Sequence, residues 1–383
     1  MIPNLPWPVI WRPKGFVPSI EELNSAHGVL AKSDVTSVAD VPGDAHPNED
    51  QLARQPNHSS PLPSGWGEGG RRPGEGDRGR NAQTAASGNS PPLSVVELVE
   101  GRIVGDLRLV VTHNGIAVGK LQSLIGSVDP GKHYLLRNPR FRLLRRLPGV
   151  ALLLGIPESA NYYHWLLNSA PRWKLLEAAG HTQAYDYVLL NASGPPFQDE
   201  TLDRMRVPRD KRFRCSTRFL CQFERLVVPE MPLPMFKVPG WACNWVRSLF
   251  PERDPDAPKL LYVSRRAASR RRVANESMLE PQLQKLGFAI AQLERLAVVE
   301  QARLFSAAQC IVAPHGAGLA NLVFAPPGAH LVELFHPDAT ATFYRELAQV
   351  CGLRYTRLSG RPSGSPKTAD FTIDVRELLG LVL

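Results

Sequence analysis

The chain has 383 residues, of which 43% are hydrophobic, and it carries a formal charge of +9. That length favours two domains, or one large domain with appendages, and the charge favours an anionic partner such as nucleotide, phosphate, nucleic acid or lipid headgroup without choosing among them. The cysteines are five in number without a C-x-x-C pair, which argues against a disulfide framework or a zinc ribbon and fits a reducing cytoplasm.

The opening "MIPNLPWPVIWRPKGF" lacks a basic stretch followed by a continuous apolar run, so it does not read as a signal peptide. The longest apolar run, Val150 to Leu154, is far short of the roughly 20 residues a membrane helix needs. The expectation is a soluble cytoplasmic protein, with peripheral attachment at the inner membrane face left open. Residues 1–45 carry no assignable structure, and 46–93, rich in Gly, Pro, Ser and charge, read as a disordered low-complexity linker because they offer little to bury. Residues 94–148 form a small β-rich module in which Asn114-Gly115 signals a type I′ hairpin.

From 149 the texture alternates. "VALLLG" predicts a strand, Asn161–Ala179 a helix closed by Gly180, "YDYVLL" and "ERLVVP" strands, and Trp241–Phe250 a short helix. The Pro- and charge-rich "PERDPDAPK" then reads as a hinge, placing one Rossmann-like domain at 149–257 and another at 258–383. The second runs strand "LLYVS", basic loop, helix Glu276–Leu286, strand "FAIAQ", helix Val298–Ala307, strand "CIVAP", a further helix, strand "HLVELF", a helix near Phe343–Val350 and a last strand at Arg354–Leu358. Such alternation implies a parallel sheet covered on both faces, hence an α/β fold in which two halves would make a cleft.

Ligands of open parallel sheets sit beyond the carboxyl ends of strands. His315-Gly316-Ala317-Gly318 occupies that place, and its small residues with the N–H groups of the next helix suit an anion such as a diphosphate. The alternative is a tight turn with a buried histidine. Glu333, near the end of the following strand, either accepts bonds from ribose hydroxyls or simply faces the surface. In "YVSRRAASRRRVANE", Arg265 and Arg266 fall at a strand end where guanidinium forks match phosphate oxygens; Arg270 to Arg272 either continue that site or solvate a loop. Asn275 reads first as a helix cap. In "SANYYHWLLNSAPRWKLLEAAG" the residues Asn161, His164, Asn168 and Arg172 make one polar stripe facing water or a ligand, and Pro171 kinks or ends the helix. His164 is either a general base or a satisfied structural histidine.

Taken together, "NYYHWLLNSAPRWKLL", "YVSRRAASRRRVANE" and "PHGAGLANLVFAPPGAHLVELF" resemble glycosyltransferase family 61 from about Glu97 to the end. The resemblance implies a GT-B-like fold, with two Rossmann-like domains facing a cleft. It also implies an inverting transfer from a nucleoside-diphosphate sugar to a hydroxyl of a glycan, lipid-linked glycan or protein acceptor, in surface polysaccharide biosynthesis, with no obligatory metal or other cofactor. The later half would bind the donor through Arg265, Arg266, Asn275, His315, Gly316, Ala317, Gly318, Asn321 and Glu333, and the earlier half would supply His164 with Asn168 beside it. One departure stands out: many relatives carry an acid where this chain has Asn168, and an amide cannot act as a base. Either His164 acts alone, a carboxylate such as Glu158 substitutes, or this member is inactive.

Three rivals remain. Asp254-Pro255-Asp256 matches a metal-binding D-x-D element on paper but lies in a proline-broken linker. No G-x-S-x-G nucleophile elbow supports a hydrolase. A non-catalytic anion or nucleic-acid binder would use "RNPRFRLLRR" and "SRRAASRRR", the first of which would also suit an anionic membrane; the enzyme reading takes no nucleic acid as partner.

Overall fold

The computed structural model describes residues 15–17, 29–35, 93–107, 109–118, 144–216, 220–230, 237–364 and 369–383. The low-complexity stretch 46–92 and residues 137–143 of the basic run lie outside them. Among the described residues the backbone forms seventeen strands, and two sheets organise most of them.

The first sheet is mixed. Its parallel part comprises β7 (Leu144–Leu153), β8 (Tyr187–Asn191), β9 (Arg212–Cys215) and β10 (Leu220–Pro229), in the order β10-β7-β8-β9. On the other side of β10 lie β3 (Leu93–Val99) and β4 (Arg102–Val104), both antiparallel to it, which are successive halves of one strand interrupted at Glu100 and Gly101. Glu100 takes a left-handed φ of 48°, which breaks the extended run. Gly101 is required for space, because a Cβ there would sit 2.7 Å from Leu226 Cβ on β10. Strands β5 (Leu109–Val111) and β6 (Ile116–Val118) extend this side, with β1 (Gly15–Val17) beyond β6 and β2 (Val29–Val35) paired to β3. The residues read as a small β-rich module thus hydrogen-bond into the same sheet as the parallel strands.

The hairpin joining β5 to β6 is present but is not type I′. Gly115 has φ 88° whereas Asn114 does not have a positive φ. The Gly115 N–H donates to Thr112 O at 3.0 Å and the Thr112 N–H to Ile116 O at 2.9 Å. A turn over Thr112–Gly115 followed by a left-handed glycine is the longer hairpin solution, in which only the last residue needs to lack a Cβ.

The second sheet is wholly parallel, with β11 (Leu260–Val263), β12 (Ala289–Ala291), β13 (Cys310–Pro314), β14 (His330–Phe335) and β15 (Arg354–Ser359) in the order β12-β11-β13-β14-β15. Numbered within the sheet this is 2-1-3-4-5, a doubly wound order whose direction reverses between its first and third strands, β11 and β13. The helices between strands are amphipathic. In α7 (Phe343–Val350), Tyr344, Leu347 and Ala348 recur at spacings of three and four and are buried, while Gln349 and Val350 face water. A small third sheet pairs β16 (Arg361–Pro362) with β17 (Phe371–Thr372), and α8 (Val375–Val382) ends the chain under an Asp374 cap.

The core does not stop at the proline-rich stretch 251–258. One cluster of buried side chains includes Leu152, Leu154, Val188 and Leu190 from the first sheet and Leu261, Val263, Ile311 and Ala313 from the second. Trp165, Trp245, Phe250, Phe305 and Phe324 fill the space between them, each contributing on the order of 1.5–3 kcal/mol by burial. The two sheets therefore share apolar packing, which fixes the cleft walls described next.

Candidate functional site

The reversal point of the second sheet brings together the two loops singled out from sequence. Strand β11 leads into Ser264-Arg265, and β13 into His315-Gly316. Arg265 lies directly on Gly316: a Cβ there would be 2.0 Å from its Nη1 and 2.8 Å from its Cζ. Gly316 has φ 177°, extended backbone that any residue adopts, so the glycine makes room and does not relieve strain. Gly318 is similar, since its Cβ would meet Leu293 Cδ1 at 2.9 Å. The segment after the tetrad, Ala317–Phe324, is a 3₁₀ helix and not an α-helix.

Arg265 is largely enclosed. Its Nη2 donates to Arg270 O at 3.2 Å, while its Nε is buried without an acceptor. Among the described residues no carboxylate forms an ion pair with it, and burial, followed by repulsion from Arg271, pushes its pKa below the usual guanidinium range. A cation kept in this state is destabilised unless an anion comes to it.

Beside Arg265 opens a cleft of about 910 Å³. Its second-sheet wall includes Gly316, Ala317, Gly318 and the Leu293–Val298 segment, and its first-sheet wall includes Tyr162, Pro195 to Phe197 and Glu200. Two contacts tie these walls. The Tyr162 hydroxyl donates to Asn321 Oδ1 at 2.7 Å, and Asn321 Nδ2 donates to Gln301 Oε1 at 2.6 Å and to Gly318 O at 3.0 Å. Glu200, on α3 (Pro196–Arg204), accepts the Val298 and Val299 N–H groups at 2.7 and 2.8 Å, and so caps α6 (Val298–Ala307) from the other wall. That carboxylate occupies the donors at which an anion would otherwise dock.

The predicted helix Asn161–Ala179 is broken. Asn161 Oδ1 caps the short turn α1 (Tyr162–His164) by accepting the Tyr163 N–H at 2.9 Å. A π-helical turn covers Trp165–Ser169, with the Ala170 N–H donating to Trp165 O at 2.9 Å, and α2 (Arg172–Ala178) restarts after Pro171, which has no N–H to donate. The wider turn changes the stripe. His164 and Asn168 stay adjacent, Nδ1 to Oδ1 at 2.9 Å. An amide oxygen only accepts, so Nδ1 carries the hydrogen and the basic lone pair falls on Nε2. Arg172 leaves the stripe entirely: it is 1% exposed and donates to Leu154 O, Gly155 O and Pro229 O, tying the carboxyl ends of β7 and β10. His164, half-buried, does not itself line the cleft, whereas Tyr162 of the same turn does.

Other predicted residues take different places. His315 is the buried histidine of the alternative reading: Nδ1 lies 2.6 Å from Glu333 Oε1, and its ring packs on Phe335, Phe343 and Tyr344. Glu333 is 1% exposed and neither reaches a rim for ribose nor faces the surface; Tyr355 Oη donates to its other oxygen at 3.0 Å. Strand β14 is central in a sheet covered on both faces, so a side chain pointing off its middle enters the interior. Arg266 turns from the cleft to pair with Glu276 and Glu280 of α5 (Glu276–Lys285). Asn275 does not cap α5 through its side chain; its amide clamps both the N–H and C=O of Ile373. Arg272 is bound by Asp370, so the arginine trio divides instead of acting as one. Asp254 accepts the Asp256 N–H at 3.0 Å in an exposed turn.

Sequence reasoning missed Tyr162, Glu200 and Gln301. Tyr162 was visible inside the aromatic stretch, but nothing local distinguishes its hydroxyl from that of Tyr163. Glu200 sits on a helix that the pattern did not announce.

The reversal point of the doubly wound sheet thus presents an enclosed arginine, ion-paired with no carboxylate among the described residues, beside a small-residue turn. Residues 162–332 match the family model described as Glycosyltransferase 61, which supports the resemblance to that family of glycosyltransferases. A stretch of 139 residues is 27% identical to the EGF domain-specific O-linked N-acetylglucosamine transferase of Drosophila melanogaster, covering 32% of this chain and 26% of that protein. The match thus spans about a quarter of the relative's length.

Proposed function

We propose that this chain is an inverting glycosyltransferase that moves a sugar from a nucleoside-diphosphate donor to a hydroxyl of a glycan, lipid-linked glycan or protein, with the two α/β walls acting as the halves of a GT-B-like enzyme. The observation that carries this reading is Arg265, enclosed, ion-paired with no carboxylate among the described residues, and lying on Gly316 at the sheet's reversal point. The family match supports the transfer chemistry, and the relative's name makes N-acetylglucosamine and a protein hydroxyl the first donor sugar and acceptor to try.

In the proposed reaction the acceptor oxygen forms its bond to the anomeric carbon as the carbon–oxygen bond to the diphosphate breaks from the opposite face. The bonding pair leaves on the phosphate, through an oxocarbenium-like transition state. Arg265 stabilises that charge as a fixed donor, without reorganising during the reaction. The acceptor proton goes to His164 Nε2. Asn168 holds the Nδ1 hydrogen through Oδ1, so the amide is a positioning residue, and an acid at that place is not needed for the imidazole to accept a proton.

The test is binding followed by turnover. Uridine or guanosine diphosphate should raise the melting temperature, and Arg265→Ala should remove most of the rise. Slow hydrolysis across a panel of nucleotide sugars should then fall by roughly 10²–10⁴-fold in His164→Ala, the usual yield of general-base catalysis, and Asn168→Ala should lower kcat with KM little changed. No stabilisation by any nucleoside diphosphate defeats the reading. Membrane contact through the exposed Arg145 and Arg146 is a further proposal, tested by co-sedimentation with anionic against neutral liposomes.

A further inference from the structure

The loop after β11 carries Arg265, Arg266, Arg270, Arg271 and Arg272, and the chain treats them unequally. Glu276 and Glu280 take Arg266, and Asp370 takes Arg272 through both its side chain and its backbone N–H. Arg270 is exposed, and its carbonyl accepts from Arg265 Nη2 at 3.2 Å, which folds the loop back on its own start. Arg271 is treated like Arg265. It is half-buried, its Nε is enclosed without an acceptor, and among the described residues no carboxylate forms an ion pair with it.

Two further observations set Arg271 apart. Its φ is 57°, in the left-handed region that a long side chain seldom adopts, so the backbone is held in an unfavourable state at this one arginine. It also lies close enough to Arg265 for the two charges to repel, with the buried Tyr344 near both. Two of the three exposed arginines of the loop, Arg266 and Arg272, are thus ion-paired, whereas the two most enclosed form no ion pair among the described residues. Like charges, both desolvated and neither neutralised, form a poor structural element and a ready anion clamp.

We propose that Arg271 is the second guanidinium of a two-arginine clamp for a pyrophosphate group, Arg265 and Arg271 each taking one phosphate, with Arg266 outside the site. This rests on the reading of the cleft as a nucleoside-diphosphate site and says which residues grip the phosphates. Two forks separated on one loop match two linked phosphates, and a single phosphate would engage only one of them well.

The full chain is titrated calorimetrically with inorganic pyrophosphate, inorganic phosphate and uridine diphosphate, as wild type, Arg271→Met, Arg271→Lys and Arg266→Met. Arg271→Met should weaken pyrophosphate and uridine diphosphate by roughly tenfold to hundredfold, the loss of one charge-assisted fork. Arg271→Lys should fall between it and wild type, and Arg266→Met should stay within about threefold of wild type. Without ligand, Arg271→Met should melt at or above the wild-type temperature because one repulsive charge is gone, a result that a structural arginine would not give. An Arg271→Met protein that binds pyrophosphate like wild type, or that melts well below wild type when unliganded, overturns the proposal. If the wild type binds uridine diphosphate and Arg271→Met binds it equally, the clamp fails while the donor reading stands. If the wild type binds inorganic pyrophosphate through both arginines but no nucleoside diphosphate, the donor reading fails and the clamp stands.

Discussion

Replacing Gly316 by alanine should separate folding from binding. The backbone at Gly316 has φ 177°, so alanine adopts it without strain. The new methyl, however, would sit 2.0 Å from Arg265 Nη1, and ordinary contact begins at 3.4 Å, so the guanidinium must retreat by about 1.4 Å. A hydrogen bond of about 2.9 Å lengthened by that amount is no longer a bond. Each charge-assisted bond contributes about 1.5–3 kcal/mol, so uridine diphosphate affinity should fall roughly 10- to 150-fold if one is lost. The displaced atoms are the far end of a flexible side chain, so unliganded stability should change by no more than about 0.5 kcal/mol. Calorimetric titration together with thermal denaturation reads both quantities. A Gly316→Ala protein that keeps wild-type affinity within about threefold, or one that loses several degrees of stability with its affinity, would refute the claim that this glycine exists to admit Arg265.

Other consequences follow from buried polar groups. Arg172→Met should destabilise the chain by about 3 kcal/mol or more in urea unfolding, because three carbonyls of β7, β10 and their ends lose their donor and each costs about 1–3 kcal/mol. Burial alone pushes the Arg172 guanidinium down to about 9, so it is still charged at neutral pH and the loss should be nearly constant between pH 6 and about 8. Glu200→Ala should cost about 1–2 kcal/mol by uncapping α6, with hydrogen exchange rising first at Val298 and Val299. His330, desolvated and beside Arg354, has its pKa pushed below the ordinary 6.5. The unfolded chain therefore binds the proton more readily than the folded one. Its contribution is fully present above about 6.5 and is lost as pH falls through the depressed folded value. Urea midpoints should drop on acidification, and His330→Gln should flatten that slope.

The sequence alone determined the alternation that makes the second sheet. Helices Val298–Ala307 and Phe343–Val350 and strands Cys310–Pro314 and His330–Phe335 occupy the predicted spans because a 3.6-residue period and a short all-apolar run are each set by local burial. Where local cues compete, pattern reading failed. Strand β9, "RFRC", looks like a solvated loop until Asp199 and Asp203 neutralise its arginines, and "PFQDETLDR" hides a helix among acids. The two loops of the site were legible because their position after buried strands follows from connectivity. Which side chains those loops deliver was not.

Arg265 and Arg266 are adjacent and chemically identical, and only the packing of α5, with Glu276 and Glu280 facing one of them, decides that Arg266 is neutralised while Arg265 falls on Gly316. Glu333 looked like a rim carboxylate until the neighbouring strand and helix enclosed it with His315 and Tyr355. Local composition fixes where a strand ends; whether a charge there meets a counter-charge depends on residues tens of positions away, and that is settled only when the chain has folded.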